Sequence, residues 1–174
     1  MTTLYMLASQ SRVQMMSFIL KSDDRLVVID GGHTCDADYL CTYVKKLGGV
    51  IDGWFLTHAH SDHINAMTSL LERHADEVKI GGVYFNFPSD EFIEAAGEND
   101  LPEVRKLRGE ISRNKLKVTT VNKGDVFEFG EMIIRVLLVP DEPVTVNAVN
   151  NSSVVYRLDI KGCDCGHSVI FLAD

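Results

Sequence analysis

The sequence predicts a layered α/β fold within one domain, and three observations support this prediction. The chain has 174 residues, which lies within the ~100–200 residues typical of a single domain. It is 45% hydrophobic and 24% charged, an ordinary globular composition that disfavours disorder and fibrous architectures. Predicted strands alternate with predicted helices over the first half of the chain, as in a β-sheet that is covered by helices.

The first half of the chain alternates β-rich runs with helical patterns. Runs of β-favouring residues bounded by Gly, Asp and Ser predict strands, whereas apolar residues at helical spacing predict helices. Gly48 and Gly49 follow the first helix as its stop signal. In chain order we predict strands over residues 3–8, 15–21 and 25–30, a helix over 37–47, a strand over 51–57, a helix over 63–74 and a strand over 78–87.

The second half is predicted to begin with helices and to continue as β-structure. Residues 89–116 are polar, have helical propensity and contain Gly97 and Pro102, which predicts two short helices on a surface insertion. The second helix, over 104–117, is rich in Lys and Arg, so it is either a phosphate-contacting patch or an ordinary solvated face. Strands are then predicted over residues 117–122, 126–129, 131–139, 154–160 and 168–173.

Charge and hydropathy restrict the classes of partner. The formal net charge is −8 at pH 7, so no global positive field attracts nucleic acid or anionic lipid. No apolar run reaches the ~18 residues that a transmembrane helix needs, and the N-terminus lacks the cationic segment and apolar core of a secretory signal. The four cysteines are too few for a disulfide scaffold. We therefore expect a soluble cytoplasmic protein without a membrane partner.

The segment that follows the predicted strand 51–57 concentrates metal-binding residue types. His58, His60, Asp62 and His63 form the pattern His-x-His-x-Asp-His where a strand ends and a helix begins. Neutral imidazole and carboxylate are ligands that zinc and similar divalent metals prefer, and a sharp turn can direct such side chains around two adjacent ions. His58 and His60 would bind one ion, and Asp62 and His63 the other. The alternative is a histidine-rich helix start that Asp62 caps.

This pattern resembles the signature of the metallo-β-lactamase superfamily. Residues 27–32 resemble the first motif of that family, in which Asp30 would orient the metal ligands, and residues 171–174 resemble the strand whose final Asp174 bridges two metals. The resemblance implies an αββα sandwich built from two similar halves. More narrowly, residues 137–140 and 150–155 resemble the hydrolase domain of ComEC-type DNA-uptake proteins and their free-standing relatives.

The sequence also departs from the pattern of this family. Most members take a third histidine for the first metal from a loop before the bridging Asp, but here the only histidine after His74 is His167. The segment Asn150, Asn151 and Ser152 stands at that position instead and is expected to line the site with weaker ligands. His33, which follows the Gly-Gly turn, either lines the same cleft or belongs to a surface loop.

The last segment of the chain gives two further expectations. Cys163, Cys165 and His167 form either a small soft-metal site or an ordinary hairpin. Residues 168–173 have the pattern of a buried strand that nothing after them covers, and the final histidine of the family would follow Asp174. We therefore expect residues 1–174 to be the N-terminal portion of a longer domain, truncated in its second half, with fewer than two bound metals. We also expect self-association through the uncovered strand.

The resemblance implies a metal-dependent hydrolase in which Asp62 and His63 act in catalysis and a hydroxide generated at the metal attacks the substrate. Zinc is expected, as one or two ions, with manganese or iron as alternatives. The ComEC-like segments and the basic stretch favour a phosphodiester in a small molecule, nucleotide or nucleic acid. Two alternatives stay open: a non-catalytic binding or regulatory module that keeps the hydrolase fold, and a portion of a longer enzyme that is inactive alone.

Overall fold

The computed structural model describes residues 1–141, 144–162 and 168–173. The strands are β1 Thr2–Met6, β2 Ser17–Ser22, β3 Arg25–Asp30, β4 Val50–Ile51, β5 Gly53–Phe55, β6 Lys79–Ile80, β7 Val83–Phe85, β8 Val118–Thr120, β9 Val126–Phe129, β10 Met132–Leu138, β11 Val155–Ile160 and β12 Ser168–Phe171. The helices are α1 Ala37–Lys46, α2 Ser61–Arg73, α3 Asp90–Ala96 and α4 Leu101–Arg113, with short 3-10 turns at Thr34–Asp36 and Asn150–Ser152. Within these ranges no helix is long and apolar enough to cross a membrane.

Two main sheets organise the molecule. The six-stranded sheet has the order β1-β2-β3-β5-β7-β8; its first three strands pair antiparallel, whereas β3, β5, β7 and β8 pair in parallel. Parallel neighbours need crossover connections, which α1, α2 and the pair α3 and α4 provide. The four-stranded sheet, in the order β12-β11-β10-β9, is antiparallel throughout.

Strand β3 divides the core between the two faces of the large sheet. Because alternate residues of a strand point to opposite faces, Leu26 and Val28 pack among the helices, whereas Val27 and Ile29 pack against the four-stranded sheet. Each of the four described helices buries its apolar residues in the first of these clusters. The described residues therefore form three layers of the predicted αββα sandwich: helices, large sheet and small sheet.

The strand predicted over 51–57 is interrupted at Asp52 and becomes β4 and β5. The Asp52 carboxylate accepts a hydrogen bond from the Leu26 amide at 2.8 Å, and the Asp52 amide donates to the Leu26 carbonyl at 2.8 Å. The strand predicted over 78–87 is interrupted nearby at Gly81, where a Cβ atom would lie 2.7 Å from the Asp52 carbonyl oxygen. Both interruptions therefore arise from close contacts around Asp52. At position 81 the contact leaves no space for a side chain, so glycine is required there.

The two helices predicted within 89–116 are present as α3 and α4, with one difference. Gly97 ends α3 in a left-handed conformation, with φ 74°, as expected at a helix C-terminus. Pro102 does not interrupt the second helix but lies in its first turn, where the missing amide hydrogen is not needed. α4 buries Val104 and Leu107 in the helical cluster, so this segment contributes to the core.

The Lys- and Arg-rich stretch of α4 is mostly paired with carboxylates of the same chain. The pairs are Arg105 and Arg108 with Asp90, Lys106 with Glu72, and Arg113 with Glu110. Because these cations are balanced on the protein itself, the structure favours the solvated-face interpretation of the stretch over a phosphate-contacting patch.

Candidate metal centre

The His-x-His-x-Asp-His segment lies where β5 ends and α2 begins. His58 and His60 precede the helix, which starts at Ser61, and Asp62 and His63 lie in its first turn. His58 and His63 are completely buried, whereas His60 and Asp62 are partly exposed. The group is therefore reached from solvent on the side of His60 and Asp62.

Asp30, the last residue of β3, provides the hydrogen-bond acceptors at the base of this group. Its φ of 55° lies in the left-handed region, which is uncommon for residues other than glycine, and it is 1% exposed. Its Oδ1 accepts the Thr57 amide at 2.8 Å, and its Oδ2 accepts both the Thr57 hydroxyl at 2.8 Å and Nδ1 of His63 at 2.9 Å. Asp30 thus contacts one predicted metal ligand directly and another through Thr57.

The hydrogen bonds of Thr57 determine which nitrogen of His58 carries a proton. Because the single hydroxyl proton of Thr57 is donated to Asp30, the 3.1 Å contact between Thr57 Oγ1 and His58 Nδ1 is donated by the histidine. Nε2 of His58 then carries a lone pair and lies 3.1 Å from Nδ1 of His60. Two nitrogens that are ~2.0–2.1 Å from one tetrahedral ion are about 3.3 Å apart. The spacing of these two nitrogens is compatible with a shared ion and also with a hydrogen bond between the two rings.

The remaining ligands complete a donor set that suits a divalent metal. The ring centroids of His58 and His63 are 3.9 Å apart, and Nε2 of His63 lies 3.7 Å from Oδ2 of Asp62. Burial, together with the neighbouring His63 and His60, lowers the pKa of His58 from 6.5 to about 2, so this imidazole is neutral, the form that binds metals. Three imidazoles and one carboxylate fit zinc, manganese or iron.

Asp100 is a neighbour of the site that the sequence did not indicate. Its Oδ2 lies 3.7 Å from Nε2 of His60, which is too long for a hydrogen bond. Asp100 stands at the N-cap of α4 but makes no capping hydrogen bond. Burial raises the pKa of Asp100, against the opposing effect of His60. No sequence pattern relates these two residues, because their contact arises only when α4 packs beside α2.

The other predicted site residues fall into two groups. His33 lines a cavity of about 360 Å³ that Asp62 also lines; its role in the site stays a prediction. The remaining predicted ligands, namely Asp174 and the group Cys163, Cys165 and His167, lie outside the described residues.

In the loop 150–153, the buried side-chain atoms without a partner are not all in the residues that the sequence predicted to line the site. The side chains of Asn151 and Ser152 donate hydrogen bonds to carbonyl groups of their own loop, at 2.7 and 2.6 Å. Asn150 Oδ1 and Ser153 Oγ are instead buried and have no hydrogen-bond partner within the described part of the chain. Val154 donates its amide to the Thr57 carbonyl at 2.9 Å. This hydrogen bond attaches the loop beside His58.

Comparison with known proteins identifies the family. The family model described as "Metallo-beta-lactamase superfamily" matches residues 12–142, a range that includes the His-x-His-x-Asp-His segment. The chain belongs to the metallo-β-lactamase superfamily. Members of the metallo-β-lactamase superfamily are generally metal-dependent hydrolases and usually bind zinc. A search of curated proteins finds no match.

Solved structures of the metallo-β-lactamase superfamily share this fold. The metallo-β-lactamase fold protein YhfI from Bacillus subtilis matches with a TM-score of 0.62 and 16% identity, over 99% of this chain and 62% of that one. A metallo-β-lactamase with a HARLDQ motif from Cronobacter sakazakii matches with a TM-score of 0.56 and 15% identity, over 92% of this chain and 57% of that one. The chain thus spans 57% to 62% of the length of these proteins, and at such identities the likeness concerns the fold alone.

Proposed function

We propose that this chain is a metal-dependent hydrolase that acts on phosphodiesters of nucleotides or nucleic acids. The observation that carries the proposal is the convergence of His58, His60 and His63. Thr57 is hydrogen-bonded to the ring of His58, and Asp30 to the ring of His63. A carboxylate that fixes the ring orientation and tautomer of a metal-binding histidine is a recurrent feature of metal sites.

Each predicted ligand has a distinct place in this arrangement. His58 and His60 would hold one ion through Nε2 and Nδ1, and Asp62 and His63 would hold the second. Asp174, outside the described residues, would bridge the two. A bound divalent ion lowers the pKa of its water toward ~7 and so supplies hydroxide at neutral pH. Zinc is the metal that we propose, with manganese and iron as alternatives.

The chain itself contributes orientation and proton placement. Asp30 accepts the Nδ1 proton of His63, which leaves Nε2 of that ring as the metal-binding nitrogen. Thr57 accepts the Nδ1 proton of His58 and donates its own hydroxyl proton to Asp30. Nε2 of His58 is then the nitrogen that is available for the metal. Asp62, which we propose as catalytic together with the neighbouring His63, lines the cavity of about 360 Å³, where a substrate can approach.

Two arguments favour a phosphodiester as the substrate. The segments 137–140 and 150–155 resemble the ComEC-type hydrolase domain, and a pair of divalent ions offsets the negative charge of a phosphodiester. Asn150 and Ser153, in the loop expected to stand in place of the third histidine, each have a buried side-chain oxygen without a hydrogen-bond partner among the described residues.

The proposal is tested by measuring metal content and hydrolysis together. The double variant His58→Ala/His60→Ala should bind less zinc by atomic emission and should not hydrolyse bis(p-nitrophenyl) phosphate. Lys46→Ala, a change at an exposed position of α1, serves as the control and should retain both properties. Equal zinc content in the wild type and the double variant would contradict the ligand assignment.

A second outcome separates metal binding from the proposed chemistry. A wild type that binds zinc through His58 and His60 but hydrolyses no phosphodiester would support the non-catalytic binding module instead. Faster hydrolysis of a β-lactam such as nitrocefin than of any phosphodiester would keep the hydrolase assignment and reject the substrate class.

A further inference from the structure

A cavity beside the candidate metal centre is lined in part by the loop between β1 and β2. It has a volume of about 360 Å³. Its walls come from the β1–β2 connection, from the residue after the Gly-Gly turn and from the start of α2. The lining residues are Arg12, Val13, Gln14, His33, Ser61 and Asp62.

Buried hydrogen bonds fix the position of this wall. The carboxylate of Asp36, which is completely buried, accepts the Gln10 amide through Oδ1 and the His33 amide through Oδ2, each at 3.1 Å. The Met16 amide donates to the Asp62 carbonyl at 3.2 Å. Arg12 therefore lies on a loop that is hydrogen-bonded to Asp36 on one side and to the site residue Asp62 on the other.

Arg12 differs in charge balance from the other arginines. Every other arginine of the chain forms an ion pair with a carboxylate, whereas Arg12 has no such partner among the described residues. This is notable in a chain of net charge −8, where carboxylates are in excess. The unpaired guanidinium lines a cavity that also contains a predicted metal ligand, Asp62.

We infer that this cavity binds a phosphate group of the substrate and that Arg12 determines specificity for it. A guanidinium presents its N–H groups in a planar fork that matches two phosphate oxygens, and His33 and Ser61 line the same cavity. The role in substrate recognition rests on the proposed function. Binding of phosphate by Arg12 itself can be measured without turnover.

The test is a calorimetric titration of the zinc-loaded chain with inorganic phosphate. Arg12→Gln should weaken phosphate binding about 10- to 100-fold, because hydrogen bonds between charged groups are lost, and Arg12→Lys should bind with intermediate affinity. Lys46→Gln, at an exposed cation of α1, changes the net charge equally and should bind phosphate as the wild type does. Since Arg12 is exposed on a loop, the substitution should not affect folding.

The outcomes distinguish this inference from the proposed function. Equal phosphate affinity of the wild type and Arg12→Gln would overturn it, as would Arg12-dependent binding of acetate at least as tight as that of phosphate. A chain that binds phosphate through Arg12 but hydrolyses no phosphodiester would support the cavity assignment and reject the hydrolase. In a further outcome, the KM for bis(p-nitrophenyl) phosphate and the affinity for phosphate both stay unchanged in Arg12→Gln while hydrolysis continues. That result would reject only the cavity assignment.

Discussion

Thr57 connects two site histidines to one buried carboxylate, although it is not itself a metal-binding residue type. It is 1% exposed, and its hydroxyl lies 2.8 Å from Asp30 and 3.1 Å from Nδ1 of His58. Without this hydroxyl, Asp30 loses one donor and the His58 ring loses the acceptor that fixes its tautomer. If the two histidines bind metal as proposed, their orientation depends on a residue that is not itself a ligand.

Replacing Thr57 by Val should reduce both metal affinity and stability. Val keeps the shape of the side chain but removes the hydroxyl, so we expect zinc affinity to fall about 10- to 100-fold. The free energy of unfolding should fall by about 1–3 kcal/mol, because buried polar groups lose their partners. Competition with a chromophoric chelator and urea denaturation measure these effects. Thr57→Ser, which keeps the hydroxyl, is the control; equal losses in both variants would contradict the proposed hydrogen-bond role.

Metal stoichiometry is a second property that individual residues determine. After His74 the sequence contains one further histidine, His167. The loop at 150–153 has oxygen atoms in its side chains, and these are weaker zinc ligands than imidazole. We expect incomplete occupancy of the two proposed metal positions, with fewer than two zinc ions per molecule by atomic emission. Two fully occupied ions per chain, with all ligands from that chain, would contradict this expectation.

The proximity of the four predicted ligands was predictable because they lie within one short segment; their role as metal ligands stays a prediction. The sequence also indicated Asp30, since it ends a strand before a Gly-Gly turn. Asp100 and Arg12 could not be found in this way. Asp100 reaches His60 only through the packing of α4, and Arg12 becomes notable only when its lack of a carboxylate partner is seen in three dimensions.

At the scale of elements, α4 shows why a polar helical segment can still belong to the core. Its charged residues suggested a surface helix, but one stripe of apolar residues is buried. Leu107→Ala should therefore lower the free energy of unfolding by about 2–5 kcal/mol, the usual cost of truncating a buried leucine. Leu138→Ala, at a position that is 44% exposed, should cost clearly less. Equal effects in urea denaturation would show that α4 does not contribute to the core.

His74 joins the end of α2 to α1 through charge. Its Nδ1 contacts Glu77 at 2.6 Å and its Nε2 contacts Asp38 at 2.8 Å, and Glu77 also binds Lys45 of α1. The bond to Glu77, followed by that to Asp38, raises the pKa of His74 above 6.5. Lys45 and then His74 lower the pKa of Glu77 from 4.5 to about 2. The protonated histidine is thus held between two carboxylates.

These shifts predict how the stability contribution of His74 depends on pH. Because its pKa is raised on folding, the contribution is fully present below 6.5 and is lost as pH rises through the folded-state value. The contribution of Glu77 is present above 4.5 and is lost as pH falls toward 2. The unfolding free energy of the wild type should exceed that of His74→Gln most between pH 4.5 and 6.5. His33→Gln is the control; a difference that grows in alkaline solution would contradict the assignment.

At the scale of the whole molecule, the sequence predicted the order of strands and helices but not how the two sheets meet. Tyr156 of β11 is completely buried, and its hydroxyl donates to the Leu56 carbonyl at 3.0 Å, just after β5 ends. This bond joins the small sheet to the large sheet one residue before Thr57. Such a contact between distant segments leaves no periodic signal, so the sandwich was inferred from family resemblance rather than from the pattern of residues.

The edge of the small sheet gives the last prediction, which concerns self-association. β12 is an outer strand of that sheet and pairs with β11 on one side. Ile170 is 49% exposed, and Leu172, just after the strand, is 68% exposed. An edge strand with exposed apolar side chains is a template for pairing with another strand, and two copies related by a twofold axis would satisfy each other's edge. We therefore propose that the chain self-associates through β12.

Light scattering over a range of protein concentrations tests this proposal. The wild type should show a mass that increases with concentration, and Ile170→Lys should shift it toward the monomer, because a charged lysine on an edge strand opposes strand pairing. Val146→Lys introduces the same side chain at another exposed position, 75% accessible and outside the strands, and should associate as the wild type does. A wild type that stays monomeric at every concentration, or an equal response of both variants, would show that β12 is not the associating edge.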